Sequence, residues 1–334
     1  MRKNRSLWND LLGRFGLTRS RRQKPAPSRK PRALHVEPLE ARQLLSAHPL
    51  SAVYVSCNFV DQTNPGATTP SYGDAVTAPA GETAPNLGSG TLTYGVNAFS
   101  AIQAGVNNVA SGGTVYLLPG TYTESDISLA QPVSVVGPAP TEGTATLVPA
   151  IADSHEVDRS DWFGGGTHNA FVIRSSNVAL SNLTIDGGAG YGYFCGVETD
   201  WTSGQTYDDL SVTGLTVQNV FCLGIDLEGG ANAGTGDLIS GNIVQNVQGA
   251  ATVRGITLLD ASGQISNNQV STVVASSETP YSNAAVGIYL DSFDIPGVAV
   301  SIDNNTVSGT CGARRNFQLG NEIKKWSNCL SNSG

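Results

Sequence analysis

Two short patterns alternate along the middle of the chain, and they leave few folds open. One recurs as SNLTIDG (181–187), TGLTVQN (213–219), SGNIVQN (240–246), SNNQVST (266–272) and DNNTVSG (303–309). Its apolar pivot falls at Ile185, Val217, Val244, Val270 and Val307, with spacings of 32, 27, 26 and 37 residues. The other recurs as GVET (196–199), GIDL (224–227), GITL (255–258) and GIYL (287–290). Its pivots Val197, Ile225, Ile256 and Ile288 are spaced 28, 31 and 32 residues apart. Two strand-like segments per period of about 30 predict a solenoid, because each turn buries its apolar face only against its neighbours. Asn242, Asn268 and Asn305 share one slot in three successive units. Stacked amides at a corner can hydrogen-bond from turn to turn, and ordinary turn chemistry also selects Asn there.

Composition removes the main competitors. The 334 residues include 39 Gly, with 7% aromatic and 14% charged residues, too little Leu, Glu and Lys for coiled coils or helix bundles. No run of 18 apolar residues occurs, so no transmembrane helix is expected. The net charge of −8 is unevenly spread. Residues 1–42 hold 12 Lys and Arg against Asp10, Glu37 and Glu40, whereas residues 43–310 hold only Arg159, Arg174 and Arg254 against 23 acids. A body at −20 excludes nucleic acid as a partner, since binding phosphates requires Lys and Arg to neutralise them. Cys57, Cys195, Cys222, Cys311 and Cys329 show no CxxC spacing, which argues against zinc, and their pairing is left open.

The head divides in two. In residues 6–17, Leu7, Trp8, Leu11, Leu12 and Phe15 share one helical face, and residues 18–33 are basic and broken by Pro. The apolar core of an ordinary signal peptide does not follow. Residues 35–47 read HVEPLEARQLLSA instead. This resembles the LEPR-x-L-L-S sorting signature of very large exported planctomycete and related bacterial proteins. Leu39, Glu40, Arg42, Leu44, Leu45 and Ser46 match in order, with Ala41 where the pattern has Pro. The resemblance implies a processed export segment over 1–47 and a secreted or cell-surface address.

Residues 48–95 read as a first strand (51–60) followed by a Pro-, Gly- and Thr-rich loop. In AFSAIQAGVNNVASGG (98–113), Phe99, Ile102, Val106 and Val109 mark one face of a helix, which Gly112 and Gly113 should stop. TVYLL (114–118) and PVSVVG (132–137) flank the turn PGTYTE (119–124). This stretch resembles the opening of right-handed parallel β-helix proteins of the pectin-lyase-like superfamily, where a short helix caps the coil. The expected fold is therefore an all-β, right-handed single-stranded parallel β-helix over 96–310. Residues 311–334 break the frame and turn basic. Ile323, Trp326 and Leu330 suit a short capping helix, and the favoured alternative is a chain that continues into further exported domains.

Chemistry is expected on the second pattern. If its pivots point inward, residues one and three later point outward. Glu198, Asp200, Asp226 and Glu228 then form a square of carboxylates on one outer face. Four like charges that close need a cation, a proton or an Arg, so the square is the candidate Ca²⁺ site. Asp226 and Glu198 are the weak catalytic candidates, their spacing bracketing that of glycosidase carboxylates. A solvated acidic face is the plain alternative. DSHE (153–156) is similar to the DPHE motif of alginate C5-epimerases with Ser154 for Pro, and the loop 153–168 with His155 and His168 reads as exposed and polar. Polygalacturonase-like, pectinesterase-like and pectate-lyase-like signatures are incomplete, and alternation puts Arg254 in an inward or corner column.

These features predict an exported, non-enzymatic protein presenting an elongated face to polysaccharide or to other surface proteins. The alternative is a polysaccharide-active enzyme (lyase, hydrolase or C5-epimerase) on acidic glycans, which a basic groove would favour.

Overall fold

The computed structural model describes residues 50–87, 90–150, 168–200, 203–230, 232–249, 253–275, 285–292, 295 and 297–311, all within one unit, Ala47–Gly334. The sorting segment, the loop around His155 and the basic tail lie outside the described residues.

Successive turns stack as three parallel sheets, the β-helix that the repeats predict. The first runs from Val109–Leu117 through Val133–Val136, Val178–Ser181, Ser211–Thr213, Gly234–Ser240 and Ala261–Ser266 to Val300–Asp303, with Leu50–Val55 and Ala98–Phe99 added at its start. The second runs from Gly120–Thr123 through Ala145–Val148, Thr184–Asp186, Thr216–Val220, Ile243–Gly249 and Gln269–Ala275 to Thr306–Cys311. The third holds Ile127–Leu129, Phe171–Ile173, Cys195–Thr199, Leu223–Glu228, Val253–Leu259 and Ala285–Asp291. The first repeat pattern is the second sheet, with Ile185, Val217, Val244, Val270 and Val307 in direct register. The second pattern is the third sheet, with Val197, Ile225, Ile256 and Ile288 in register. Each pivot through Val270 and Ile256 is nearly or fully buried, and β-branched side chains suit such stacks because they pack well on a pleated surface.

The first sheet is a third frame that the two patterns leave unseen. Leu180, Val212, Ile239, Ile265 and Ile302 stack in register, each five positions before a pivot of the second sheet. Between them lies a tight corner whose first residue is always left-handed: Asn182, Gly214, Gly241, Asn267 and Asn304 have φ between 54° and 67°. Gly and Asn are the residues that accept this conformation at least cost.

The next residue in the corner carries the asparagine ladder. Asn242 Nδ2 and Asn268 Nδ2 each donate 2.9 Å to the side-chain oxygen of the next rung's Asn. That oxygen also accepts the backbone N–H of the preceding rung, and each amide donates back to the first sheet at Val212, Ile239 or Ile265. Asn242 and Asn268 are fully buried with their amide groups satisfied, so the ladder is both turn chemistry and rung-to-rung bonding.

The helix is Ile102–Asn108, shorter than its apolar spacing implies. Phe99 belongs to a strand beside Val55, and Val109 already begins the strand that runs through Gly112 and Gly113. Glu124, from the GTYTE turn, accepts the N–H groups of Ile102 and Gln103 at 2.6 and 3.0 Å, closing the helix start that lacks a side-chain cap of its own. Residues 61–95 are more than a loop. Val60–Asp61, Ala75–Thr77 and Leu92–Thr93 pair antiparallel, and Phe59, Val76 and Leu92 join Tyr54, Ala98 and Leu118 in a small second core.

One glycine column sets how closely rungs approach. A Cβ at Gly196, Gly224 or Gly255 would lie 2.6, 2.3 and 2.6 Å from the carbonyl oxygen of the glycine above it. It would also press on Val217, Val244 or Val270 of the second sheet. We expect Gly224→Ala to cost about 3 kcal/mol, an overpacking penalty against backbone that cannot rotate away. Thermal unfolding should show a midpoint lower by about 6–12 °C, and an unchanged midpoint would refute the close packing of this column.

Candidate functional site

The outer face of the third sheet carries the polar groups. Ser128, Val172, Glu198, Asp226, Thr257 and Tyr289 follow one another in register up this face. Glu198 and Asp226 are therefore immediate neighbours, as aligning GVET with GIDL predicts. Asp226, however, is only 3% exposed, which removes the solvated-face reading for it. The four carboxylates also have separate attachments. Glu198 Oε1 accepts from Asn169 Nδ2 at 2.7 Å. Asp200 Oδ2 accepts from Arg174 Nε at 2.8 Å, while Arg174 Nη1 reaches Ser128 Oγ at 2.7 Å. Asp226 and Glu228 hydrogen-bond through their side chains, which requires a proton between them. Among the described residues no group of three or more His, Cys, Asp or Glu is arranged to hold a metal ion. Arginine, amide and proton meet the repulsion that the sequence assigns to a cation.

Arg254 is on this face, not in the inward or corner column that alternation gives it. Its guanidinium carbon sits 4.1 Å from the centre of the Tyr289 ring, a cation–π contact. The reason is the glycine column. Gly255 turns its Cα toward Val270 of the second sheet, and Ile256 beside it is also buried in the main core. Two consecutive inward positions reset the alternation. Arg254 and its register partner Leu223 consequently fall outside. Cys195, in register with Leu223, belongs to a separate outer cluster with Phe194 and Cys222.

His168 is held rather than loosely exposed. Its Nδ1 lies 2.7 Å from Asp126 Oδ2. Asp126 Oδ1 accepts the Asn169 N–H at 2.8 Å, and Asn169 Oδ1 accepts the Cys195 N–H at 3.1 Å. Asn169 thus ties its own rung, which also carries His168, to Asp126 on the rung before and to Cys195 and Glu198 on the rung after. Asp126 and His168 are 42 positions apart, and no local motif marks them as a pair; only the register of Ile127 with Phe171 brings them together.

Burial and mutual repulsion govern the electrostatics. Burial, then the charges of Asp226, Asp200, Glu228 and Asp126, push the Glu198 carboxyl up to about 8. Burial and Asp226 push Glu228 up to about 7, with Arg254 opposing. Burial raises Asp226 too, against the opposing charge of Arg254. On the first sheet, burial and the nearby Asp208 and Asp209 raise Asp237 to about 7, although the Leu210 N–H works the other way. The thiols of Cys195 and Cys222 are raised by burial and neighbouring acids, which keeps them protonated and poorly nucleophilic.

Three polar atoms in this patch stand out. Asp226 Oδ1, Thr257 Oγ1 and Arg254 Nε are buried and have no hydrogen-bond partner among the described residues. Buried polar atoms left this way are costly, and an acceptor, a hydroxyl and a cationic donor side by side suit a polar ligand. Comparison with known proteins finds no family, no curated protein and no solved structure that the chain matches. No helix among the described residues is long and apolar enough to cross a membrane.

Stability should fall with rising pH. Glu198, Glu228 and Asp237 hold protons in the folded chain above the pH at which the unfolded chain releases them. Their contribution is complete below the ordinary carboxyl range and is lost as pH climbs through about 7 to 8. We expect the melting temperature to drop by about 5 °C or more between pH 5 and pH 9, and Glu198→Gln to flatten the upper part of that profile. A melting temperature that rises over this interval would contradict the raised carboxyls.

Proposed function

We propose that this is an exported bacterial cell-surface or extracellular β-helix protein that binds carbohydrate along the outer face of its third sheet. The observation that carries the reading is the unpartnered set Asp226 Oδ1, Thr257 Oγ1 and Arg254 Nε on a regular, rigid strand array. Sugars present hydroxyls that both donate and accept, and such a set supplies matching groups without having to be reorganised. Tyr289 adds an aromatic body beside them, and the parallel ladder repeats similar positions at about 4.8 Å intervals, a layout suited to an extended polymer. Export is supported by the LEARQLLS stretch (39–46) behind a basic head.

A second reading, a polysaccharide-active enzyme, draws on Glu198. A carboxyl that keeps its proton up to about 8 can serve as a general acid, and Arg254 is on the face after all.

The test uses the full chain against immobilised neutral, uronate and amino-sugar polymers, reading retention and the appearance of new chain ends. Retention of at least one polymer class without cleavage is the expected result; cleavage would move the protein to the second reading. No retention of any polymer would refute a carbohydrate site. Mass spectrometry of surface-shaved cells should find peptides from residues 50–311, and their confinement to the cytoplasm would sink the export proposal.

A further inference from the structure

One end of the coil is covered and the other is open. At the start, the helix Ile102–Asn108 lies on the first turn, with Gly105 against Val53, Val55 and Val115. At the far end, Val300–Asp303, Thr306–Cys311 and Ala285–Asp291 are each the last strand of their sheet among the described residues. We propose that residues 312–334 fold back over this far end and seat Ile323, Trp326 and Leu330 on Ile302, Val307 and Ile288. The inference goes beyond the carbohydrate reading and does not depend on it.

The core columns open here. Ile302 and Val307 stand in register with Ile265 and Val270. Those two are 0% and 1% exposed, whereas Ile302 and Val307 are each 42% exposed. Ile288, in register with Ile256, is only partly buried, as are Leu290 and Val300. Apolar surface left in water forfeits about 25 cal/mol per Å². The asparagine ladder stops as well. Asn305 accepts the backbone and side-chain donors of Asn268, but no further Asn follows among the described residues to receive its own N–H. Unpaired strand edges beside exposed apolar groups invite association, and a solenoid needs its ends covered.

Position, pattern and charge identify the occupant. Residues 312–334 continue from Cys311, on the rim of the opening. Ile323, Trp326 and Leu330 recur at i, i+3 and i+7, the spacing of one helical face. Asn321 suits an N-cap and Glu322 a first turn. Residues 312–320 reach about 30 Å when extended, well beyond the separation of about 10 Å between packed sheets. Arg314, Arg315, Lys324 and Lys325 outweigh Glu322 in this segment, while residues 285–311 hold no Lys or Arg. The last rung presents Asp303, which is exposed, and Asp291, which is half-buried. A second copy docked end to end would set the same acids against one another. The basic segment of the chain itself is the better complement.

The experiment uses the full chain with Trp8→Phe, Trp162→Phe and Trp201→Phe, which leaves Trp326 as the only reporter. Acrylamide quenching of its fluorescence is read beside sedimentation and melting followed by circular dichroism. The proposal expects a monomer in which Trp326 is quenched at least threefold less than free tryptophan amide. Val307→Asp on the coil and Ile323→Asp on the segment should each restore full quenching. Ile323→Asp should also lower the melting temperature of the strands by about 3 °C or more. Full quenching of Trp326 in the chain with the native Val307 and Ile323 would refute the proposal. Protection that survives in a folded Val307→Asp protein would place the segment elsewhere and overturn it. Where Val307→Asp does not fold, the melting shift decides, and an unchanged midpoint in Ile323→Asp would overturn the seat. A dimer that Val307→Asp dissociates would give the open end to a second copy instead.

Discussion

Everything in this protein hangs on the distance of closest approach between one rung and the next. Parallel strands about 4.8 Å apart leave no room for a side chain where two backbones meet edge-on. The column Gly196, Gly224, Gly255 and Gly287 occupies that place, each of the first three facing the carbonyl oxygen of the next. With the glycines present, the Val and Ile pivots stack without gaps and the three sheets close around one core. The same column bends the third sheet so that two successive positions face inward. It thereby delivers Arg254 to the outer face.

Fold and site are therefore products of a single local device. The glycine saves space inside and, by resetting the alternation, rearranges the chemistry outside. Asp226 is only 3% exposed although it stands on this face, and burial raises its carboxyl. The rigid ladder holds these groups in place at some electrostatic cost.

The sequence is most readable where geometry repeats. The pivots of the second and third sheets, the asparagine slot and the pairing of Glu198 with Asp226 follow from spacing alone. The later rungs of the first sheet escaped, although its opening strands at 51–60, 114–118 and 132–137 were legible, because the pivots Leu180, Val212, Ile239 and Ile265 mirror those of the second at a fixed offset and add no new period. Arg254 was misplaced because strict two-residue alternation ignores a glycine that turns inward. His168 with Asp126 could not be read at all, since the contact spans a full rung and depends on the register of Ile127 with Phe171. The short antiparallel strands within 61–95 were hidden by a composition that favours turns.

The three corners of the coil are not equivalent. From Leu180 onward, pivots of the first and second sheets are five residues apart, pinned by a left-handed Gly or Asn and, in three of the rungs, by the Asn amide that follows. From the second to the third the interval runs from 8 to 18 residues, and from the third back to the first from 9 to 15. Over these rungs the connection length varies only at the two edges of the sheet that carries the candidate site. Loops bordering this face can therefore change length while the opposite corner keeps time for the rungs from Leu180 onward, so the surroundings of the face can vary on a scaffold whose pitch does not.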